Sequence, residues 1–221
     1  VGYYDSIHMV DGFDLLSLRQ WETLTSYFLD KLNISEKDDV LEIGCGGGAW
    51  LGQVHKCRSL SGIDYSENAI KLIRKRLHGN FCVADALQLP FPDNHFNYVL
   101  SWSVFFYFDS LDYAKHVVKE MVRVVKPKGI IFIGDINDID KKDIAIELRN
   151  DSESFRRKTH VSREPVDHLY YSKCLFQEIA KEYNMKISFY DEDVDELNFY
   201  HSAKYRYSVV MENVQSMLDY D

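Results

Sequence analysis

Four features in the first half of the chain have the residue types and spacing for binding chemistry: Glu42, the turn Gly44-Cys45-Gly46-Gly47-Gly48, Asp64 and Asp85. Glycines in such a turn let the backbone reverse sharply and let a ligand approach main-chain N–H groups with no Cβ between. Asp64 follows Gly44 by 20 residues, the distance at which a second strand ends and a carboxylate accepts from ribose hydroxyls. Glu42 stands two positions before Gly44. A carboxylate there is poorly placed beside a pyrophosphate but suits a cationic ligand such as a sulfonium amino acid. Asp85 closes the next short apolar run and is placed to accept from the exocyclic amine of adenine. The turn by itself also matches the dinucleotide fingerprint G-x-G-x-x-A, so a nicotinamide dinucleotide stands as the alternative ligand.

These residues need strands to carry them and helices to support them. Residues 40–43 read as a first strand, 49–57 as a helix, 60–63 as a second strand and 67–77 as a helix capped by Ser66. Strands follow at 81–83 and 96–101, then an amphipathic helix at 111–125 that stops at Lys126-Pro127-Lys128-Gly129. Residues 130–133 have the length and apolarity of a buried parallel strand. A helix at 175–183 and two alternating segments, 185–190 and 204–211, close the pattern. Upstream, residues 15–32 place Leu15, Leu18, Trp21, Leu24, Phe28, Leu29 and Leu32 near one helical face, with Asp14 as N-cap; Tyr3, Tyr4 and Trp21 are candidates to cover a ligand. Alternating strands and helices imply an α/β, Rossmann-like sheet with helices on both faces, and ligands in such sheets bind beyond the carboxyl ends of the strands.

Taken in order, Val40-Leu41-Glu42-Ile43-Gly44-Cys45-Gly46-Gly47-Gly48, Gly62-Ile63-Asp64-Tyr65-Ser66, Ala84-Asp85-Ala86-Leu87-Gln88-Leu89-Pro90-Phe91 and Phe96-Asn97-Tyr98-Val99-Leu100-Ser101 resemble the first four motifs of class I S-adenosylmethionine-dependent methyltransferases. Met121-Val122-Arg123-Val124-Val125-Lys126-Pro127-Lys128-Gly129 resembles the helix-to-strand turn that follows. The resemblance implies a seven-stranded, mostly parallel sheet whose last strand is antiparallel, and S-adenosylmethionine as cofactor. By position it implies that Glu42, Gly44 and Gly46 line the methionine end and Asp64 holds the ribose. Asp85 and Ala86 would hold adenine, Tyr65 would stack near it, and Ser101 would touch the amino acid portion through its backbone.

A sulfonium methyl is already activated, so transfer requires mainly in-line placement of the acceptor; a hydroxyl acceptor also benefits from a general base. The acceptor belongs over the ends of the fourth and fifth strands, near Ser101 to Phe108 and Asp135 to Asp138. Tyr107 is the aromatic residue there whose hydroxyl can orient an acceptor, and Asp135 is the carboxylate best placed as base. His168, just before a helix, is a second candidate base, and His160 a weaker one. The patterns S-x-S-V-F-x-Y-F, D-I-N-D-x-D-K-K and H-L-Y-Y-S-K resemble uncharacterised bacterial methyltransferases that accompany surface-polysaccharide biosynthesis, which implies O-methylation of a sugar or related small metabolite. Phe106 departs from the Gln or His often found at its position in related enzymes.

With 221 residues, the chain fits one domain, 1–221: a helical cap over 1–37, a cofactor-binding half over 38–135, and a substrate-side excursion with closing strands over 136–221. The stretch 137–168 is polar and charged and reads as an excursion over the site or a solvated loop. A net charge of -9 with dispersed Lys and Arg argues against nucleic acid as partner. No apolar run approaches the roughly 20 residues that span a bilayer. Cys45, Cys57, Cys82 and Cys174 lack metal-ligand spacing and read as reduced thiols of a cytoplasmic protein. The expected partner is a small-molecule substrate, with no metal; the oligomeric state is not legible. The competing functions are an oxidoreductase on the same glycine turn and a partner module that keeps the fold without turnover.

Overall fold

In the computed structural model, which describes residues 16–148 and 168–214, seven strands form one sheet. They are β1 (Asp39–Ile43), β2 (Ser59–Asp64), β3 (Asn80–Val83), β4 (Phe96–Trp102), β5 (Val125–Asn137), β6 (Met185–Asp191) and β7 (Arg206–Asn213). The order across the sheet is β3-β2-β1-β4-β5-β7-β6. β1 to β5 are mutually parallel, and β7 runs antiparallel to both its neighbours, β5 and β6. The carboxyl ends of β1 to β5 and the start of β7 therefore share one edge, and the order in which strands are added switches sides between β1 and β4, the place where ligands bind in open α/β sheets.

The helices are α1 (Leu18–Leu32), α2 (Glu67–Arg76), α3 (Leu111–Val124) and α4 (Lys173–Glu182). Each begins on a serine whose hydroxyl accepts a backbone N–H of the first turn: Ser17, Ser66, Ser110 and Ser172. α1 and α2 cover one face of the sheet with Trp21, Leu24, Phe28, Ile70 and Ile73; α3 and α4 cover the other with Val117, Val118, Met121, Phe176 and Ile179. No helix among the described residues is long and apolar enough to cross a membrane.

Three expectations need correction. The cap of α1 is Ser17, joined reciprocally with Gln20 in a capping box (Ser17 N–H to Gln20 Oε1, 2.9 Å), so the helix starts later than the apolar pattern alone suggests. The helix expected over 49–57 shrinks to one 3₁₀ turn, Leu51–Gln53. Gly52 weakens a helix there, and Trp50 is fixed instead by stacking on Trp102, ring centroids 4.3 Å apart. The fifth strand runs from Val125, directly after α3, and Lys128 makes the local turn with φ 62° inside it. Of the polar excursion, residues 139–148 form a 3₁₀ turn, Ile139–Lys141, and a helical stretch. Asp14, Tyr3, Tyr4 and His160 lie outside the described residues.

A bulge in β5 matters for the site. The β5–β7 register shifts between Ile133 and Ile136. Ile131, Ile133 and Ile136 all pack into the α3–α4 core, which strict alternation does not allow. The extra residue turns Asp135 (φ 64°) away from that core and toward Tyr200 and Arg206.

Candidate active site

The first three strands end in a row of carboxylates. β1 is buried throughout and delivers Glu42, itself buried, one residue before the chain turns. Gly44 turns with φ 74°, and a Cβ there would lie 2.4 Å from Val104 Cγ2, so this position takes only glycine. Gly44 and Cys45 both donate to the Ile63 carbonyl, at 2.8 and 2.9 Å, tying the turn to β2. Gly46 N–H then donates to Asp64 Oδ2 at 2.9 Å.

Asp64 caps two structures at once. Its other oxygen, Oδ1, accepts from Ser66 N–H at 2.8 Å, at the start of α2. Each oxygen thus makes one bond and keeps a further lone pair. Asp85, beyond β3, differs: Oδ1 accepts from both Leu87 N–H (2.8 Å) and the Tyr113 hydroxyl (2.6 Å). Those two bonds, the Leu87 N–H foremost, hold its carboxyl below the usual range, so it is ionised. Ala86 packs partly buried against the core beside it. Tyr65 is 88% exposed, with its ring clear of the sheet. Ser101 is fully buried, and its hydroxyl donates to the Ile43 carbonyl at 3.1 Å. Its side chain therefore locks β4 to β1, and only its main chain is left to meet a ligand.

The ends of β4 and β5 carry a second constellation. The 3₁₀ turn Phe105–Tyr107 follows β4, and residues 168–171 are stitched to it. Leu169 N–H donates to the Phe106 carbonyl (3.0 Å), the Tyr171 hydroxyl to the Phe105 carbonyl (2.6 Å), and Asn137 Nδ2 to the Leu169 carbonyl (3.0 Å). The His168 ring consequently sits 4.7 Å from Phe106 and 5.3 Å from Tyr107. Tyr107 is 58% exposed, and its ring rests on Phe106 and His168.

Asp135 is not at that surface. It is completely buried and bonded to Arg206 through Oδ2, which also accepts the Ser103 hydroxyl at 2.5 Å. Oδ1 accepts the Tyr200 hydroxyl at 2.8 Å. Arg206 also donates to Tyr200 Oη and Asn137 Oδ1, and its guanidinium lies 4.6 Å from the Phe106 ring centre. Glu192 completes the group: its Oε1 accepts from Asp135 N–H (2.9 Å) and Ser208 Oγ–H (2.6 Å). Burial, and then the neighbouring Asp135 charge, push the Glu192 carboxyl up to about 8. The expectation that Asp135 serves as base is corrected accordingly: an enclosed, ion-paired carboxylate has no open face for an acceptor's proton. Ser103, Glu192, Tyr200 and Arg206 were not singled out by spacing. They lie 32 to 71 residues from Asp135 in sequence; the β4–β5 pairing brings Ser103 to it, and the pairing of β7 with β5 and β6 brings the other three.

The sequence profile of the "Methyltransferase domain" family matches residues 41–133, from β1 into β5. The methyltransferase GfsG of Streptomyces halstedii is 30% identical over 125 residues, 52% of this chain and 44% of that protein. A demethylmenaquinone methyltransferase of Bacillus licheniformis is 29% identical over 139 residues, 57% of this chain and 54% of its own length. The chain spans about half the length of the curated relatives it matches. Among solved structures, phosphoethanolamine N-methyltransferase 1 of Haemonchus contortus, in complex with phosphoethanolamine and S-adenosylhomocysteine, superposes with a TM-score of 0.65 at 14% identity. That match covers 91% of this chain and 44% of that one.

Proposed function

We propose that this chain, which matches the methyltransferase domain family over residues 41–133, is a class I S-adenosylmethionine-dependent methyltransferase that transfers the sulfonium methyl group to a hydroxyl of a small-molecule acceptor. The observation that carries the cofactor half of this reading is the row Glu42, Asp64, Asp85. These acids end β1 and β2 and follow β3, on three adjacent strands. Adjacent strands lie about 4.8 Å apart, so the row extends over roughly 10 Å, the reach of a ligand with an ammonium group, ribose hydroxyls and an adenine amine in sequence. All three groups donate hydrogen bonds, and each meets an acceptor. A pyrophosphate would meet repulsion at Glu42, which disfavours the oxidoreductase alternative.

When bound, S-adenosylmethionine supplies a methyl group on positively charged sulfur, so the protein's task is placement. Gly44 and Gly46 keep the floor beneath the methionine end free of side chains, Asp64 holds the ribose, and Asp85 with Ala86 receives adenine. Tyr65 would stack near the base, and the Ser101 main chain would border the amino acid portion. On the acceptor side, His168 takes the hydroxyl proton and Tyr107 orients the acceptor oxygen. Phe106, which cannot act as a base, supports both rings. Asp135, Arg206 and Tyr200 form the internal frame behind Phe106.

For the acceptor we propose a sugar or related metabolite of surface-polysaccharide biosynthesis, the class implied by the sequence patterns around Tyr107, Asp135 and His168. The test is incubation with methyl-labelled S-adenosylmethionine and a panel of sugar nucleotides, free sugars and demethylated quinols. Label in a sugar fraction is the expected result. Label only in the quinols would replace the proposed acceptor, and tight binding of NADH without S-adenosylmethionine would overturn the reaction itself.

A further inference from the structure

Tyr113 stands on α3, away from the glycine turn, yet its hydroxyl reaches Asp85 Oδ1 at 2.6 Å. The Leu87 N–H falls on the same oxygen. Among the described residues Oδ2 therefore has no hydrogen-bond partner, and its lone pairs remain for a ligand. The terminal torsion of an aspartate is soft, and Asp85 sits on an exposed turn, so a single backbone bond would leave its carboxylate plane poorly fixed. Tyr113 supplies the second restraint from a rigid element. Its own N–H is held by the Ser110 cap at 3.1 Å, and its ring packs on Phe108 at 4.9 Å. Burial, and then the Asp85 charge, keep the phenol protonated well above its ordinary range, so it acts only as donor toward Asp85.

We propose that Tyr113 is a positioning residue for the nucleobase subsite: it fixes Asp85 as an acceptor-only group whose free Oδ2 reads the 6-amino group of adenine and rejects a 6-oxo purine. The inference rests on the placement of adenine at Asp85 proposed above. A 6-oxo purine would turn a carbonyl oxygen toward Oδ2, opposing lone pair to lone pair and leaving a carboxylate without a donor. Nothing in the motif around Asp85 points to α3, because Tyr113 lies 28 residues further along the chain.

Calorimetry with two probes, S-adenosylhomocysteine and S-inosylhomocysteine, tests this on the wild type, Tyr113→Phe and Asp85→Asn. The wild type is expected to favour the adenosyl compound at least tenfold. Tyr113→Phe should weaken S-adenosylhomocysteine by about three- to tenfold, the scale of one lost hydrogen bond, and leave S-inosylhomocysteine within twofold, so that the preference narrows. Equal weakening of both probes would mean that Tyr113 only packs against the site, and would overturn the inference. Asp85→Asn should also narrow the preference. If it does while Tyr113→Phe does not, the positioning role fails and the adenine assignment stands; if neither variant changes the preference, both fail.

Discussion

Two carboxylate clusters sit on one edge of the sheet, and they differ in what their oxygens do. In the proposed cofactor site, Asp64 and Asp85 bond backbone amides and a phenol but keep lone pairs for a ligand. At the ends of β5 and β6, Asp135 and Glu192 are buried and committed to Arg206, Tyr200, Ser103 and Ser208. Both clusters occupy positions that a strand-end rule would mark as functional. Position along the strand does not separate them; occupancy does. Asp64 and Asp85, which keep contact with solvent and spare capacity, can serve a ligand directly, whereas Asp135 and Glu192, cut off from solvent, find internal partners or give up their charge.

The largest effect that would break this contrast comes from the buried side. Arg206→Ala should lower stability by about 3–5 kcal/mol, because it leaves Asp135 charged and unpaired; urea unfolding measures it. A change below 1 kcal/mol would mean that the network is not a frame. Next in size, His168→Ala should reduce turnover about a hundredfold, the low end for a lost general base, with unchanged S-adenosylhomocysteine affinity. Tyr107→Phe should cost several-fold in turnover and leave cofactor affinity alone; full activity would reduce Tyr107 to packing.

The buried side also carries a pH dependence. Glu192 keeps its proton in the folded protein up to about 8, against 4.5 ordinarily. Between those values the folded state holds one more proton than the unfolded state, so this group makes stability fall as pH rises through that window and then level off. Glu192→Gln should remove that component, so the stability of the variant relative to wild type should climb between pH 5 and pH 8. Parallel curves for the two proteins would show that Glu192 is ionised in the fold.

The same contrast explains what the sequence disclosed. Glu42, Asp64 and Asp85 fall within 44 consecutive residues, each at the end of a short apolar run, so local pattern alone places them. Ser66 as a cap and the antiparallel β7 follow from equally local signals or from the resemblance they carry. Ser17 offered such a signal too, since Ser17 and Gln20 have capping-box spacing, but the apolar stripe beginning at Leu15 obscured it. The frame around Asp135 depends on a bulge and on β7 crossing beside β5, and neither leaves a trace in the spacing of Asp135, Glu192, Tyr200 and Arg206. The lost helix at 49–57 has the same origin: Trp50 is claimed by Trp102, 52 residues away.

Titration of S-adenosylhomocysteine into the wild type and Asp64→Ala decides whether the acids at the ends of the first strands hold the cofactor. The wild type should bind clearly, and the variant should lose about 1.5–3 kcal/mol, the scale of a charge-assisted bond to ribose. The same affinity in both proteins, or binding of NADH in place of S-adenosylhomocysteine, would contradict that role.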